Sequence, residues 1–216
     1  MARQLLSEAE GYELLKSAGI PVPRFFVVRT AEEARNAAET IGYPVVMKVI
    51  SQQVVHKTDA GGVVLNIRSL AESTDAFEKI SRDVKEKVPG AVINGILVVQ
   101  QLTPGLELII GGKTDPAFGK VITIGAGGTL VELLRDVSIR VLPVDENEIR
   151  TMVRELRSYR LIKGYRNQPA RDEQDICEVN IRDGIGHRAR TQCCRQTGDR
   201  TGVSEPRAVI DVVRAD

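Results

Sequence analysis

Tyr43-Pro44-Val45-Val46-Met47-Lys48-Val49-Ile50, the loop Ser51 to Asp59 that follows it, and Ala60-Gly61-Gly62-Val63-Val64-Leu65 decide how this chain is read. With the period of two of a strand, Val45, Met47 and Val49 share one face, and Val46, Lys48 and Ile50 share the other. Lys48 is thus flanked on its own face by two β-branched residues. An unpaired buried ammonium costs several kcal/mol or gives up its proton, so Lys48 has either to snorkel out along its stem or to meet an anion. The next loop carries His56 and Lys57 and runs into the pair Gly61-Gly62, which opens a second apolar strand. Glycines bring backbone close to a ligand and turn its N–H groups towards an anion; they also simply make tight turns. Strand, polar loop, glycine turn and strand together form a candidate phosphate cover.

At 216 residues, 42% of them apolar, the chain is long enough for one large or two small domains with a real core. A formal charge of +1 argues against nucleic acid or an acidic membrane as the main partner. Nothing approaches the roughly 18 consecutive apolar residues that span a bilayer, and Met1-Ala2-Arg3-Gln4 opens no signal peptide, so a cytoplasmic protein is expected. The three cysteines, two of them adjacent at Cys193-Cys194, give neither a disulfide framework nor zinc spacing.

Outward from the central stretch, Ser7 and Glu10 form a capping box for a helix through Leu14-Leu15-Lys16, with Gly19 past its end. Phe25 to Val28 reads as a strand, and Thr30 caps a helix over Ala31 to Ile41. Ser69 or Ser73 starts a third helix, which spaces Phe77, Ile80, Val84 and Val88 along one side and stops at Pro89-Gly90. Ile96 to Val99 suits a buried strand. Thr103-Pro104-Gly105 is the candidate hinge between two lobes. Beyond it, Leu106 to Ile110 and Lys120 to Ile124 read as strands joined through Asp115-Pro116-Ala117-Phe118-Gly119. Gly125 to Gly128 reads as a turn leading towards a helix at Thr129 to Leu134. Val137 to Leu142 is a further strand, and Asp145 caps a helix from Glu146 to about Leu161.

Composition then shifts. The first 161 residues hold sixteen leucines and residues 162 to 216 hold none, while that tail carries nine arginines and all three cysteines. It reads as a polar, partly disordered extension or, as we favour, as sequence beyond a lost reading frame from about Asp175. Residues 1–20 are taken as a helical lead-in, 21–102 as a first lobe, 103–175 as an incomplete second lobe and 176–216 as the atypical tail.

These segments resemble the ATP-grasp subunit, usually called beta, of the ADP-forming acetyl-CoA (acyl-CoA) synthetases. The resemblance is carried by Tyr43 to Lys48, by His56-Lys57-Thr58-Asp59-Ala60-Gly61-Gly62-Val63, and by Asp115 to Gly119. Gly127 to Glu132, Arg135-Asp136-Val137-Ser138 and Lys163-Gly164-Tyr165-Arg166 complete it, in family order. It implies an α/β ATP-grasp fold of α+β lobes with nucleotide in the cleft between them. It also implies the reversible reaction of acyl-CoA, ADP and phosphate to free acid, CoA and ATP through phosphohistidine. His56 stands where the family's phosphoryl-carrying histidine of this subunit belongs, and a neutral imidazole has the lone pair for it; a solvated loop histidine is the plain alternative. Lys57 would offset phosphoryl charge or be a solvated loop lysine.

By the same resemblance Lys48, Gly61 and Gly62 attend the nucleotide phosphates, and Gln100 and Gln101 lie where the family holds adenine and usually has a Gln-Glu pair. Glu107 would accept from ribose hydroxyls or be a solvated strand residue. Gly127 and Gly128 would face phosphate or shape an irregular loop. Arg135 would stabilise phosphoryl charge or form a surface ion pair with Asp136 or Glu132. The cofactors implied are ATP/ADP and Mg2+, yet the family's Glu-x-Asn-Pro metal segment is missing. Glu178-Val179-Asn180-Ile181 lacks the proline, and Asp211 is the remaining metal candidate. No G-x-G-x-x-G follows a strand, so the CoA-binding unit belongs to a partner, the alpha subunit. Competing readings are an ATP-binding module with impaired catalysis, a succinate–CoA ligase beta-type subunit, and a part of a larger synthetase-like protein.

Overall fold

The computed structural model describes residues 6–103, 105–128, 135–166, 170, 189–193 and 210–212. It divides into two compact units, Met1–Gly11 with Pro23–Leu102 and Tyr12–Val22 with Thr103–Asp216.

Helix α1, Glu8–Ser17, starts on the capping box read from the sequence. The Ser7 N–H donates to Glu10 Oε2 at 2.7 Å, and the Glu10 N–H donates to Ser7 Oγ at 3.3 Å. It ends on Gly19, at φ +73°, where the Gly19 N–H reaches the Lys16 carbonyl and the Ile20 N–H the Leu15 carbonyl. That is the paired closure that a left-handed residue makes at a helix end.

The first unit holds β1 (Phe25–Val28), α2 (Ala31–Ile41), β2 (Val45–Ile50), β3 (Val63–Ile67), α3 (Leu70–Lys87) and β4 (Gly95–Gln100). Its four strands form one antiparallel sheet in the order β1-β4-β2-β3, with Val46 opposite Val99 and Lys48 opposite Leu97. Val45, Met47 and Val49 are all fully buried, in one core with Ala34, Ala38 and Ile41 of α2 and Ala76, Ile80 and Val84 of α3. Thr30 caps α2 by accepting from the Glu33 N–H. Ser69, not Ser73, caps α3; Ser73 is buried inside the helix and donates back to the Ser69 carbonyl.

The second unit holds β5 (Leu106–Asp115), β6 (Gly119–Ala126), β7 (Val137–Val141), α4 (Glu146–Glu155), α5 (Tyr159–Ile162), β8 (Ala189–Cys193) and β9 (Ile210–Val212). Its sheet is also antiparallel, ordered β7-β6-β5-β8-β9, so of the two strands in the compositionally odd tail β8 pairs with β5 and β9 with β8. Leu108, Ile122 and Ile124 pack against Ile149, Met152 and Val153 of α4. No helix among the described residues is long and apolar enough to cross a membrane.

Three elements differ from the sequence reading. Strand β5 runs on through Gly111 and Gly112 to Asp115, because β6 pairs with it along that whole length. The Asp115 carboxylate turns the hairpin by accepting the Ala117 and Phe118 N–H groups. Gly125 and Ala126 belong to β6 rather than to a turn, and each has a partner in the sheet register. The helix capped by Asp145 stops at Glu155 instead of running to Leu161. There the Arg157 and Ser158 N–H groups, which a continuing helix would direct to its own carbonyls, donate instead to the buried Asp136 carboxylate at 2.9 and 2.7 Å. The expected helix at Thr129 to Leu134, Pro104, Glu132 and the Glu178 segment lie outside the described residues.

Burial raises the Asp136 carboxyl pKa, but the Ser158 side chain, the Ser158 and Arg157 N–H groups and the Arg157 charge together outweigh it and hold the group below the ordinary aspartate value. A depressed carboxyl contributes stability above its unfolded pKa, about 3.9, and loses it as pH falls through the lower folded value. Asp136→Ala is expected to cost about 1–3 kcal/mol at pH 7 in urea unfolding. The gap from the natural chain should close below about pH 3.9.

Candidate functional site

Lys48 meets an anion, and the chain itself supplies it. Its Nζ lies 2.6 Å from Glu8 Oε1. Lys57, in the loop after β2, reaches the other oxygen of the same carboxylate at 3.2 Å. Glu8 is the first residue of α1, where a carboxylate is favoured by the helix dipole. Only 9% of its side chain is exposed, against 19% for Lys48 and 30% for Lys57, so the pairs are largely shielded from water. Burial pushes the Glu8 carboxyl up, but the charges and hydrogen bonds of Lys48 and Lys57 prevail and hold it below the ordinary glutamate value. The sequence reading passed over Glu8. Its one signal, an acidic residue after a capping serine, is shared by any helix start.

The loop between β2 and β3 is anchored by buried Val54 and Ala60 and leaves His56 exposed beside Lys57. Its turn is closed from within: the Ala60 N–H donates to the His56 carbonyl, Gly61 to Thr58 and Gly62 to Lys57. Gly61 and Gly62 therefore spend their N–H groups on the loop itself. Each has a packing reason to be glycine. Gly61 has φ +71°, and a Cβ there would stand 2.8 Å from Asp83 Cβ. At Gly62 a Cβ would stand 2.5 Å from Val49 Cγ1 and 3.0 Å from the Lys57 carbonyl. Helix α3 supports the loop from below, with Asp83 under Gly61 and Lys87 Nζ donating to the Asp59 carbonyl at 3.2 Å.

At the end of β4, the Gln100 N–H donates to the Arg24 carbonyl and the Gln101 N–H to the Pro44 carbonyl. The Gln101 side chain closes a two-point contact with Asn66, accepting its N–H and donating to its Oδ1, both at 2.7 Å. In the second unit, Glu107, Gly127 and Gly128 come together. The Gly127 N–H donates to the Glu107 carbonyl at 2.7 Å, and a Cβ at Gly128 would stand 2.5 Å from Glu107 Oε2. Arg135 is exposed at φ +44°; Asp136 is occupied by Arg157 and Ser158 rather than by Arg135. Asp211 stands in β9 opposite Arg190. No group of three or more His, Cys, Asp or Glu able to hold a metal assembles among the described residues.

Residues 1–182 match the family model described as the ATP-grasp domain. The chain is 40% identical over 179 residues to the beta subunit of the ADP-forming acetate–CoA ligase I of Pyrococcus furiosus, covering 83% of itself and 77% of that subunit. The chain belongs to the ATP-grasp family. Within it, the chain groups with the beta subunits of ADP-forming acetate–CoA ligases. It is also 43% identical to the ADP-forming 4-hydroxybutyrate–CoA ligase of Nitrosopumilus maritimus, with 82% of this chain aligned but only 25% of that longer protein. In structure it matches the dinucleotide-forming acetyl-coenzyme A synthetase 1 of Ca. Korarchaeum cryptofilum in complex with coenzyme A and Ca-AMPCP. The TM-score is 0.83 at 40% identity, covering 96% of this chain and 93% of that one. A second structure of that synthetase holds Mg-AMPPCP, with its phosphohistidine segment pointing towards the nucleotide binding site.

Against the Gln-Glu pair usual in this ATP-grasp group, Gln101 now has a physical account. The contact with Asn66 needs both an acceptor and a donor, and a carboxylate supplies no donor.

Gly62→Ala is expected to destabilise the chain by about 1–3 kcal/mol in urea unfolding, because the added methyl overlaps Val49. Val49→Ala should cost less in the Gly62→Ala background than alone, since it removes the overlapping group.

Proposed function

We propose that this ATP-grasp chain is the nucleotide-binding, phosphoryl-transferring part of an ADP-forming acyl-CoA synthetase, with His56 as its phosphoryl carrier. One observation supports this above the rest: two lysines are gathered at one point beside an exposed histidine, on a loop whose shape is fixed by its own hydrogen bonds. The overall reaction takes acyl-CoA, ADP and phosphate to acid, CoA and ATP. In the half assigned to this chain, a ring nitrogen of His56 bonds to the phosphorus as the bond to the donor phosphohistidine breaks. A terminal oxygen of ADP then attacks the same phosphorus, the N–P bond breaks, and ATP leaves with the imidazole restored. Lys57, next in sequence, and Lys48, across the same carboxylate, would balance the negative charge of the group in transit.

The reading also assigns Glu107, Gly127 and Gly128 to the nucleotide and Arg135 to phosphoryl charge. Gln100 and Gln101 would contact adenine through backbone groups that are not already bonded within the fold. Magnesium arriving with the nucleotide would neutralise charge on the phosphates. The donor phosphohistidine and the CoA site would lie on a separate alpha subunit, as the name of the Pyrococcus beta subunit suggests, and the assembly would work in the cytoplasm.

The test is incubation of the chain with γ-labelled ATP and Mg2+, an alkaline quench, and a search for acid-labile label on protein. Label is expected on the natural chain and absent from His56→Ala. A natural chain that binds ATP but takes up no label would overturn the assignment.

A further inference from the structure

A lysine needed for phosphate is seldom left to find its own position, and here both lysines are held by one group from a distant part of the chain. Glu8 precedes Lys48 by 40 residues and Lys57 by 49, yet its two oxygens take one ammonium each. The three residues come from three pieces of the first unit: the start of α1, the middle of β2, and the loop that carries His56. Lys48 is fixed at its base, because β2 is paired on both sides, to Leu97 of β4 and to Val63 of β3. Lys57 sits in an irregular turn whose internal bonds are local, from Ala60 to His56 and from Gly62 to Lys57. Such a turn keeps its own shape; the Gly62 carbonyl takes the Val49 N–H of β2 at its far end, and Glu8 ties the Lys57 side chain to the strand.

We infer that Glu8 is the positioning residue of the phosphoryl-transfer site, clamping the His56 loop to β2 by holding Lys48 and Lys57 on the two oxygens of one buried carboxylate. This rests on the function proposed above, and it assigns a role to a residue that touches no reacting atom. Lys48 makes the shorter bond, 2.6 Å against 3.2 Å for Lys57, and the carboxylate they share is 9% exposed. Asp83 and Lys87 of α3 hold the other side of the loop, at Gly61 and Asp59, while at Lys57 the carbonyl takes the Gly62 N–H and the side chain is held by Glu8.

Glu8→Gln keeps the shape and removes the charge. In the full chain, amide exchange across residues 51–62 is expected to quicken at least tenfold more than exchange in β4. The rate of label transfer to His56 should fall at least tenfold, while the Kd for ATP changes less than threefold. Lys57→Met should quicken the same amides, and the double variant should exchange no faster than the quicker single, since one contact is removed in each case. Equal quickening in the loop and in β4, or additive effects of the two substitutions, would reduce Glu8 to a general stabiliser and overturn the inference. The exchange measurement needs no nucleotide, so a chain that takes no label at all fails the proposed function without deciding the clamp.

Discussion

A lysine in the middle of a buried strand constrains everything around it. Strand β2 is covered on one face by α2 and α3, and Val45, Met47 and Val49 are spent there. The opposite face must then accept Lys48, whose charge tolerates neither an apolar cover nor isolation. The fold answers with the first residue of α1. The same carboxylate also takes Lys57, and with it the loop that carries His56. Replacing the trio by apolar residues of similar volume would be an acceptable way to stabilise a fold, since buried ion pairs often contribute little net stability. The trio makes better sense as placement of charge than as a source of stability.

Most of the first unit was legible because its signals are local and repeated. The split of β2 into two faces follows from a period of two, and the caps at Ser7, Thr30 and Ser69, like that at Asp145 in the second unit, each rest on a side chain three residues from its partner. The errors came where a distant residue overrode a local pattern. Nothing near Arg157 announces that Asp136, 21 residues earlier, will take its N–H and end the helix. Gly111 and Gly112 look like a loop until β6 pairs with them. The tail, poor in leucine, still yields β8 and β9, because ladder pairing is made by backbone and asks little of the side chains.

The site was legible in part, for the same reason. Lys48 demanded an anion from its strand position alone, but the sequence does not say which anion, and an unknown ligand and an unnoticed glutamate satisfy that demand equally. His56 and Lys57 are adjacent, so their neighbourhood needed no folding to be seen. Glu8 needed the whole of unit one, and Asn66, which accounts for the exchange of a usual glutamate for Gln101, lies 35 residues from its partner.

Hydrogen-bond accounting decides how this chain would recognise phosphate. Glycine-rich turns suggest anion binding through free N–H groups, as at helix starts and nests. Here the N–H groups of Gly61, Gly62, Gln100, Gln101, Ala126 and Gly127 all donate to carbonyls of the chain itself. Their glycines are explained by close approach, to Asp83, Val49 and Glu107, which leave no room for a Cβ. With those donors spent, the side-chain charge of Lys48 and Lys57 is what the first unit gathers at one point, and its position is set by a carboxylate. Charge on flexible stems is strong but poorly directed, whereas backbone donors are weaker and rigid. A largely shielded glutamate that takes both ammonium groups lends the lysines the rigidity that those spent backbone donors no longer supply.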